Sequence, residues 1–209
     1  MINEDLLLAW GAVYKKFPKG SFIFQEDTIC RYYFQLIKGC VSWVNFDDEG
    51  KAFIHSIVQP GESFGELPLF DDEPYIANAM AETDSLVIQL PKPVFLQLLR
   101  EKPELQAGFN KLLAQRVRYG FFISKELAGH NPERQILTLL DFFKRRNQHA
   151  GDEPFRINLT RQQLACMTGL RVETVIRSIK KLNNKGRLMI RRGKVFLLKD
   201  DSNHKRIEV

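Results

Sequence analysis

Glu173 and Arg177 carry complementary hydrogen-bonding groups, four residues apart in the chain. In a helix this spacing places both side chains on one face, one turn apart. An arginine offers two parallel donors that match O6 and N7 of guanine, and a glutamate accepts from the amino group of cytosine. The pair therefore has the chemistry to read adjacent base pairs in the major groove of duplex DNA.

Two short helices around a glycine turn are predicted to position this pair. Thr160 and Gln163 have the spacing of a capping box, so a first helix should begin there. Gly169 can take the positive φ of a tight turn, and a second helix should start at about Val172. At about 100° per residue, the second helix has a polar side with Glu173, Ile176, Arg177, Lys180 and Asn184, and an apolar side with Val175, Ile179 and Leu182.

The next segments complete a winged helix. Residues 188–190 and 195–198 have the pattern of two strands joined by the basic hairpin 191–194. The alternative for Glu173 and Arg177 is an ion pair on a solvated helix. The capping box, the glycine turn and the basic hairpin together favour DNA reading. Phosphate contacts are then expected from Arg161, Gln162, Thr174, Lys180 and Lys181.

Charge is divided unevenly along the chain. Residues 1–129 have 13 Lys and Arg against 17 Asp and Glu, net −4, whereas residues 130–209 have 18 against 8, net +10. This division is typical of a phosphate-binding domain joined to another domain. No apolar run approaches the length of a membrane span, and the N-terminus lacks the pattern of a signal peptide, so we expect a cytosolic protein without a membrane partner.

The cysteines do not support a disulfide framework or a cluster site. Cys30, Cys40 and Cys166 are scattered, without a CxxC pair. An iron–sulfur cluster usually requires four thiolates, so it is not expected here. A thiol switch at Cys30 or Cys40 stays open, although free cysteines in apolar runs are commonly buried and inert.

The histidines argue against a haem protein, a metalloenzyme or a hydrolase. Only His55 lies in the N-terminal part, whereas a cupin-like metal site needs clustered histidines and carboxylates. The others fall in predicted loops or in the tail, so no catalytic Ser-His-Asp or Cys-His arrangement is indicated. We therefore expect no enzyme, no metal and no cofactor. The three remaining histidines are His130, His149 and His204.

The N-terminal part has the pattern of an antiparallel β-roll. Short apolar or alternating runs occupy 22–24, 32–37, 40–46, 52–58, 76–81 and 85–90, and glycine-containing turns separate several of them. After Pro103 the period becomes helical. Residues 104–127 present an apolar surface wider than one buried stripe, which predicts one face against the roll and one against a second copy of the chain. The dimer helix would contribute Leu105, Phe109, Leu112, Leu113 and Val117.

A single helix wholly buried within its own chain is the alternative to this dimer. After the helix, Asn131 and Pro132 are a suitable N-cap and first residue for another helix through about Gln148, followed by a loop over 149–154. The predicted domains are a roll over 1–102, a dimerisation helix and hinge over 103–130, and a winged helix over 131–209. The fold class is α+β.

These motifs resemble the cyclic-AMP receptor / fumarate-nitrate regulator (CRP/FNR) superfamily of bacterial transcription factors over nearly the full chain. The resemblance rests on LTRQQLA and TGLRVETVIRSIKKL within 159–182 and on PGESFGELPLF at 60–70. It implies a cyclic-nucleotide-binding-type β-roll, a long dimerisation helix and a C-terminal winged helix on palindromic promoter sites. Double-stranded DNA with an inverted repeat, a second copy of the chain and RNA polymerase are the partners that it implies.

The resemblance also assigns roles to individual residues. It implies base contacts from Glu173 and Arg177, and an influence of Val172 on the outer bases. Arg171 replaces the usual capping serine, which removes a cap but adds a cation near the DNA backbone. Ile176 replaces a small residue and could meet a thymine methyl group. The implied phosphate contacts then include Thr160 and Arg171.

The roll departs from the family at the phosphate of the cyclic nucleotide. Gly65 and Glu66 match the pair whose glutamate holds the ribose. Where the family has Pro-Arg-Ser, this chain has Pro74, Tyr75 and Ile76, so the arginine that would neutralise the phosphate is missing. We therefore predict no cyclic AMP binding in the usual way, with Glu66 acting as a structural residue of the turn. The candidate effector pocket is Gly65, Glu66, Tyr75 and Ile76.

Taken together, the sequence predicts a dimeric DNA-binding transcriptional regulator whose small-molecule effector, if it has one, is unnamed. Two alternatives stay open. One is a cyclic-nucleotide-responsive regulator with an atypical pocket, and the other is a winged helix that binds protein rather than DNA. Steep weakening of duplex binding by salt would favour DNA.

Overall fold

The computed structural model describes residues 2–129, 131–146 and 154–198, which form two compact units divided between Val117 and Arg118. Several predicted features lie outside the described residues. They are the end at Gln148 of the helix that begins at Pro132, most of the loop predicted after it, and His130, His149 and His204. The division between the units falls within the segment that the sequence assigns to dimerisation.

The first unit is an antiparallel roll of eight strands with helices packed on it. Its strands are β1 Val13–Phe17, β2 Phe22–Phe24, β3 Tyr32–Lys38, β4 Val41–Phe46, β5 Ala52–Val58, β6 Ser63–Phe64, β7 Asn78–Ala81 and β8 Ser85–Pro91. They form two four-stranded sheets, with strand orders β1-β8-β3-β6 and β2-β7-β4-β5. The predicted β-roll is confirmed.

Helices accompany the roll before, within and after its strands. They are α1 Glu4–Ala9, α2 Leu67–Asp71, α3 Lys92–Glu101 and α4 Pro103–Leu127, of which α4 continues into the second unit. Side chains of α1, α3 and the start of α4 share one apolar core with β3 and β8, including Leu7, Tyr33, Leu90, Phe95 and Phe109. A second core fills the space between the sheets, with Phe34, Leu36, Val41, Phe64 and Val87.

Gly39 shows how tightly the strand turns pack. Its φ is +103°, and a Cβ placed there would lie 2.4 Å from Ser85 Oγ and 2.7 Å from the carbonyl oxygen of Asp84. Ser85 in turn accepts a hydrogen bond from the backbone N–H of Cys40. Only glycine fits both the backbone angle and the available space.

The second unit contains the remaining helices and a small sheet. Its complete elements are α5 Pro132–Arg146, β9 Phe155–Ile157, α6 Arg161–Thr168, α7 Val172–Asn184, β10 Leu188–Arg191 and β11 Lys194–Leu197. The sheet is antiparallel, with order β10-β11-β9. The predicted helix-turn-helix and wing are confirmed. Their core includes Ile136, Leu140, Leu164, Ile179 and Val195.

Candidate DNA-reading surface and effector pocket

The helix-turn-helix is built as its sequence requires. Thr160 caps α6 by accepting from the backbone N–H of Gln163 at 3.0 Å, and the Gln163 side chain accepts from the N–H of Thr160 at 2.9 Å. Gly169 ends α6 in the left-handed region, with φ of 69°. Arg171 then stands at the N-cap of α7 without a side-chain capping bond. The turn between the helices therefore depends on glycine, while α7 starts without the usual cap.

Helix α7 has one buried face and one exposed face. Val175, Ile179 and Leu182 are fully buried in the second unit. On the opposite side, Glu173 and Arg177 are exposed, and Ile176 keeps 38% of its surface accessible. Lys180 and Asn184 extend this exposed side, and Val172 is half-buried at the start of the helix.

Glu173 and Arg177 do not form the ion pair that was the alternative to DNA reading. Both residues are described, and no nitrogen–oxygen contact within 4.0 Å joins them. Arg177 Nη2 instead lies 3.5 Å from Thr174 Oγ1, at the limit of a hydrogen bond. Both charged ends thus stay accessible to an external partner.

The first turn of α6 adds polar groups near the wing. Arg161 Nη2 lies 3.5 Å from the carbonyl oxygen of Gly193, and Gln162 Nε2 lies 3.5 Å from Cys166 Sγ. Partial burial lowers the pKa of the Arg161 guanidinium from its ordinary value. Because the pKa of a guanidinium lies far above neutral pH, Arg161 stays cationic throughout the physiological range.

The C-terminal end of α7 is tied to α5 through Glu133. Lys185 Nζ lies 2.6 Å from Glu133 Oε2, and Lys181 Nζ lies 4.0 Å from Glu133 Oε1. The Lys181 side chain keeps 68% of its surface accessible. Lys181 thus keeps most of its side chain accessible, whereas Lys185 is engaged with α5.

In the roll, Glu66 is a fully buried carboxylate with an arginine partner. Glu66 is 0% exposed and accepts a hydrogen bond from Ser63 Oγ. Arg116 of α4 donates from Nη2 to Glu66 Oε1 at 3.1 Å, and its Nη1 lies 2.7 Å from Oε2 without hydrogen-bond alignment. The guanidinium also lies 4.7 Å from the centre of the Trp43 ring. The charge of Glu66 is thereby neutralised from within the same unit.

Tyr75 lies next to Gly65, in the same core as this pair. Its ring stacks on Phe24, with centroids 3.7 Å apart and planes 8° apart, and Phe24 in turn packs on Phe34 and Phe64. The hydroxyl of Tyr75 donates to Cys30 Sγ at 3.1 Å, and burial raises the pKa of that hydroxyl. Tyr75 is therefore a neutral core residue.

Very little space is left in the predicted effector pocket. The cavity lined by Phe24, Trp43, Gly65, Tyr75 and Ile76, among others, has a volume of about 10 Å³. Ligand pockets usually measure roughly 300–1,000 Å³. A Cβ on Gly65 would come within 2.7 Å of the Phe24 ring. Gly65, Tyr75 and Ile76 all line this cavity, with Ile76 64% exposed, and Glu66 is buried next to Gly65.

The predicted dimer residues fall into two groups on α4. Leu105, Phe109 and Leu112 pack against the core of the roll, and Phe109 is only 5% exposed. Leu113 is half-buried, and Val117 is 60% exposed. Phe121, which lies on the same predicted apolar surface of residues 104–127, is 75% exposed. Among the described side chains of α4, Val117 and Phe121 are thus the large apolar ones that remain exposed.

The thiols and His55 have ordinary structural surroundings. Cys30 is buried, whereas Cys40 and Cys166 are half-buried. Burial, aided by Glu82, raises the pKa of Cys40 to about 11. His55 contacts Asn45, and burial lowers its pKa. Within the part of the chain that the structure describes, His, Cys, Asp and Glu form no metal-binding group, and no helix has the length and apolarity of a membrane span.

Sequence reasoning missed Arg116, Trp43 and Phe24. Arg116 is 50 residues from Glu66, so no local pattern joins them. A signal was present nevertheless, because a buried glutamate requires a cationic partner or donors. Arg116 is the arginine of the apolar α4 segment that belongs to the first unit.

Comparisons with known proteins agree with both units. The family described as Cyclic nucleotide-binding domain matches residues 14–102, and the Crp-like helix-turn-helix domain matches residues 133–201. The cAMP-activated global transcriptional regulator CRP of Haemophilus influenzae is 29% identical over 189 residues, covering 87% of this chain and 84% of that protein.

Two solved structures share the fold. FixK2 from Bradyrhizobium japonicum has a TM-score of 0.75 at 21% identity, covering 90% of this chain and 93% of that one. The c-di-GMP responsive global regulator CLP of Xanthomonas campestris has a TM-score of 0.73 at 19% identity, covering 94% of this chain and 100% of that one. The fold and the exposed helix-turn-helix define a DNA-binding transcriptional regulator with a cyclic-nucleotide-binding-type domain. The chain belongs to the CRP/FNR family of transcriptional regulators.

Proposed function

We propose that this regulator acts as a homodimer on an inverted-repeat operator and reads each half-site with the exposed face of α7. The observation that carries the proposal is that Glu173 and Arg177 are exposed on the side of α7 opposite its buried face and form no ion pair with each other. The arginine has the donors for guanine and the glutamate has the acceptors for cytosine. Val172 and Ile176 would contact neighbouring bases.

The remaining cations and polar groups would set the register on the phosphates. Thr160, Arg161 and Gln162 lie at the start of α6, while Arg171 and Thr174 lie at the start of α7. Anions are favoured near helix N-termini by the unpaired N–H groups there. Further along α7, Lys180 and Lys181 would continue the same role.

The homodimer is proposed to form along α4. Val117 and Phe121 are four residues apart and largely exposed, so they form an apolar strip on one side of the helix. Leu113, half-buried one turn earlier, would extend this strip. Two copies joined along α4 would present two α7 helices to successive major grooves, roughly 34 Å apart. RNA polymerase is the further partner that the family suggests, and the cytosol is the expected compartment.

Duplex binding at several salt concentrations separates this proposal from a protein-binding winged helix. Contacts to several phosphates release counterions, so the logarithm of the binding constant should fall linearly and steeply with the logarithm of salt. A random duplex serves as the control for non-specific binding. Absent or salt-independent binding would favour the protein-interaction module.

We further propose that cyclic AMP does not control this protein in the usual way. The support is the Tyr75 ring stacked on Phe24 where a ligand would need room, in a cavity of about 10 Å³. The phosphate of cyclic AMP would also lack a cationic partner, because neither position 75 nor position 76 is an arginine. Calorimetric titration of the dimer with cyclic AMP should give no binding heat. Binding with a Kd in the micromolar range or below would overturn the proposal.

A cyclic-nucleotide-responsive regulator with an atypical pocket is the second candidate. It is favoured by the buried Glu66 and its partner Arg116, which keep an anion and a cation beside the filled cavity. The Tyr75 ring would have to leave its stack on Phe24 to admit such a ligand. Cyclic GMP and c-di-GMP belong in the same titration series, the latter because the c-di-GMP responsive regulator CLP shares this fold. Binding of either would establish the second candidate.

The functional domains are proposed as predicted from the sequence, with a roll over 1–102, a dimerisation helix and hinge over 103–130 and a DNA-binding winged helix over 131–209. The roles assigned to α4 and α7 support this division. The effector surface would then belong to the roll, and the operator contacts to the winged helix.

A further inference from the structure

The turn of the wing has a backbone that arginine rarely adopts. Strands β10 and β11 are joined by Arg192 and Gly193, with φ of 49° and 73°. Positive φ at both central residues is the geometry of a type I′ turn, in which Asn-Gly is strongly preferred. A non-glycine residue in the left-handed region is disfavoured, so an arginine here suggests a role for its side chain.

Three cations surround this turn. Arg191, Arg192 and Lys194 are exposed, and within residues 2–129, 131–146 and 154–198 none of them forms an ion pair. Gly193 between them has no side chain, so the tip of the hairpin can approach a surface closely. The turn is therefore a narrow, strongly positive projection.

The hairpin contacts both helices of the helix-turn-helix. The carbonyl oxygen of Gly193 accepts from Arg161 at 3.5 Å, at the first residue of α6. The N–H of Ile190 donates to Asn183 Oδ1 at 2.9 Å, near the end of α7. The turn therefore lies beside the two helices that are assigned to phosphates and bases.

We propose that the wing turn is a second DNA-reading site, in which Arg192 enters the minor groove beside the half-site while Arg191 and Lys194 hold the bordering phosphates. This proposal rests on the proposed function of α7. One sugar–phosphate backbone separates the major groove from the minor groove. A wing beside the start of α6, which is assigned to phosphates, can therefore reach the minor groove across that backbone. Arginine is more weakly hydrated than lysine, and a narrow, A·T-rich minor groove attracts it.

Flank preference should reveal this site. We would select duplexes from a library with randomised flanks around the half-site, using the wild type, Arg192→Gly, Arg192→Lys and, as the matched control, Lys194→Ala. Arg192→Gly keeps the turn, because glycine suits the positive φ. The wild type should enrich A·T pairs in the flank, and both Arg192 variants should lose this enrichment while keeping the core half-site. Lys194→Ala should weaken all flanks alike.

Inosine substitution then identifies the groove. An inosine–cytosine pair presents the major groove of G·C but lacks the minor-groove amino group of guanine. Wild-type protein should bind I·C flanks as well as A·T flanks and roughly tenfold tighter than G·C flanks. Equal affinity for I·C and G·C flanks, or flank preference retained by Arg192→Gly, would overturn the wing proposal with the reading by α7 intact. If the wild type selects no half-site at all, the proposed function fails and the wing proposal fails with it.

Discussion

At the scale of single residues, the exposed side of α7 has two cations with different proposed roles. Arg177 lies beside Glu173 on the exposed side of α7, without an ion pair between them, whereas Lys180 lies one turn further on. Arg177 has the geometry to contact one base pair, and Lys180 has a charge suited to phosphate. Their loss should therefore have different consequences for specificity.

Arg177→Ala should weaken operator binding by about 1–3 kcal/mol and relax the preference at one base pair. Lys180→Ala should weaken operator and random DNA to similar extents, because a phosphate contact carries no sequence information. Competition binding with operator variants measures both effects. Equal losses on operator and random DNA for Arg177→Ala would exclude its base-reading role.

Tyr75 is the residue on which the filled pocket depends. Tyr75→Ala removes a ring that is 3% exposed and should lower the free energy of unfolding of the roll by about 3–5 kcal/mol. Tyr75→Phe keeps the stack on Phe24 and loses only a bond to a weak sulfur acceptor, so it should cost less than about 1 kcal/mol.

Chemical denaturation followed by tryptophan fluorescence suits this comparison. Both tryptophans, Trp10 and Trp43, lie in the first unit, so the signal reports on the roll. Equal stability of Tyr75→Ala and the wild type would show that the ring does not support the core.

At the scale of elements, the turn between α6 and α7 depends on backbone conformation rather than on space. Gly169 has φ of 69°, and an added Cβ would meet no atom within 4 Å. Gly169→Ala should cost about 1–2 kcal/mol, because an L-residue is strained in the left-handed region, and asparagine should be tolerated better. Thermal unfolding followed by circular dichroism measures the change.

Gly120→Ala is the matched control for the turn. Gly120 lies within helix α4, where a Cβ also meets nothing within 4 Å and φ is not positive. Alanine there should be neutral or stabilise the protein by up to about 1 kcal/mol. Destabilisation by both substitutions would contradict the conformational explanation.

The elements differ in how far their sequences reveal them. The capping box, Gly169 and the amphipathic α7 are local signals, and each predicted the structure correctly. Strand β1 was not predicted, because Val13, Tyr14, Lys15 and Lys16 are all exposed and give no alternation of buried and exposed residues. Strand β6 and helix α2 are only two and five residues long, too short for a periodic pattern.

The side-chain packing inside the roll was harder to predict, because it depends on contacts between residues that are distant in sequence. The missing arginine at position 75 or 76 could be seen in the chain, but the stacking of Tyr75 on Phe24 could not. Likewise, the helical period of α4 predicted a broad apolar surface without distinguishing Phe109, which packs on the roll, from Val117, which is exposed.

At the scale of the whole molecule, dimerisation should depend on the exposed apolar strip of α4. Val117→Asp combined with Phe121→Asp should shift the protein from dimer to monomer at micromolar concentration, because each places a charge in an apolar interface. Gln115→Asp adds a charge on an exposed position of the same helix and serves as the control. Sedimentation equilibrium measures the shift, and an unchanged dimer would place the interface elsewhere.

In the proposed dimer, the two copies of α7 together would determine the form of the operator. A two-fold axis between the copies requires the two half-sites to be inverted repeats of each other, roughly one helical turn apart. Under the proposed function, this geometry would be reached without cyclic AMP.

Selection of bound duplexes from a random library, with purified protein and no added nucleotide, tests this account most directly. The wild type should enrich an inverted repeat with half-site centres about one turn apart, and Arg177→Ala should lose the preference at one position of each half-site. Adding cyclic AMP should change neither the sequence nor the yield. Failure to enrich any inverted repeat, or enrichment only in the presence of cyclic AMP, would contradict the account.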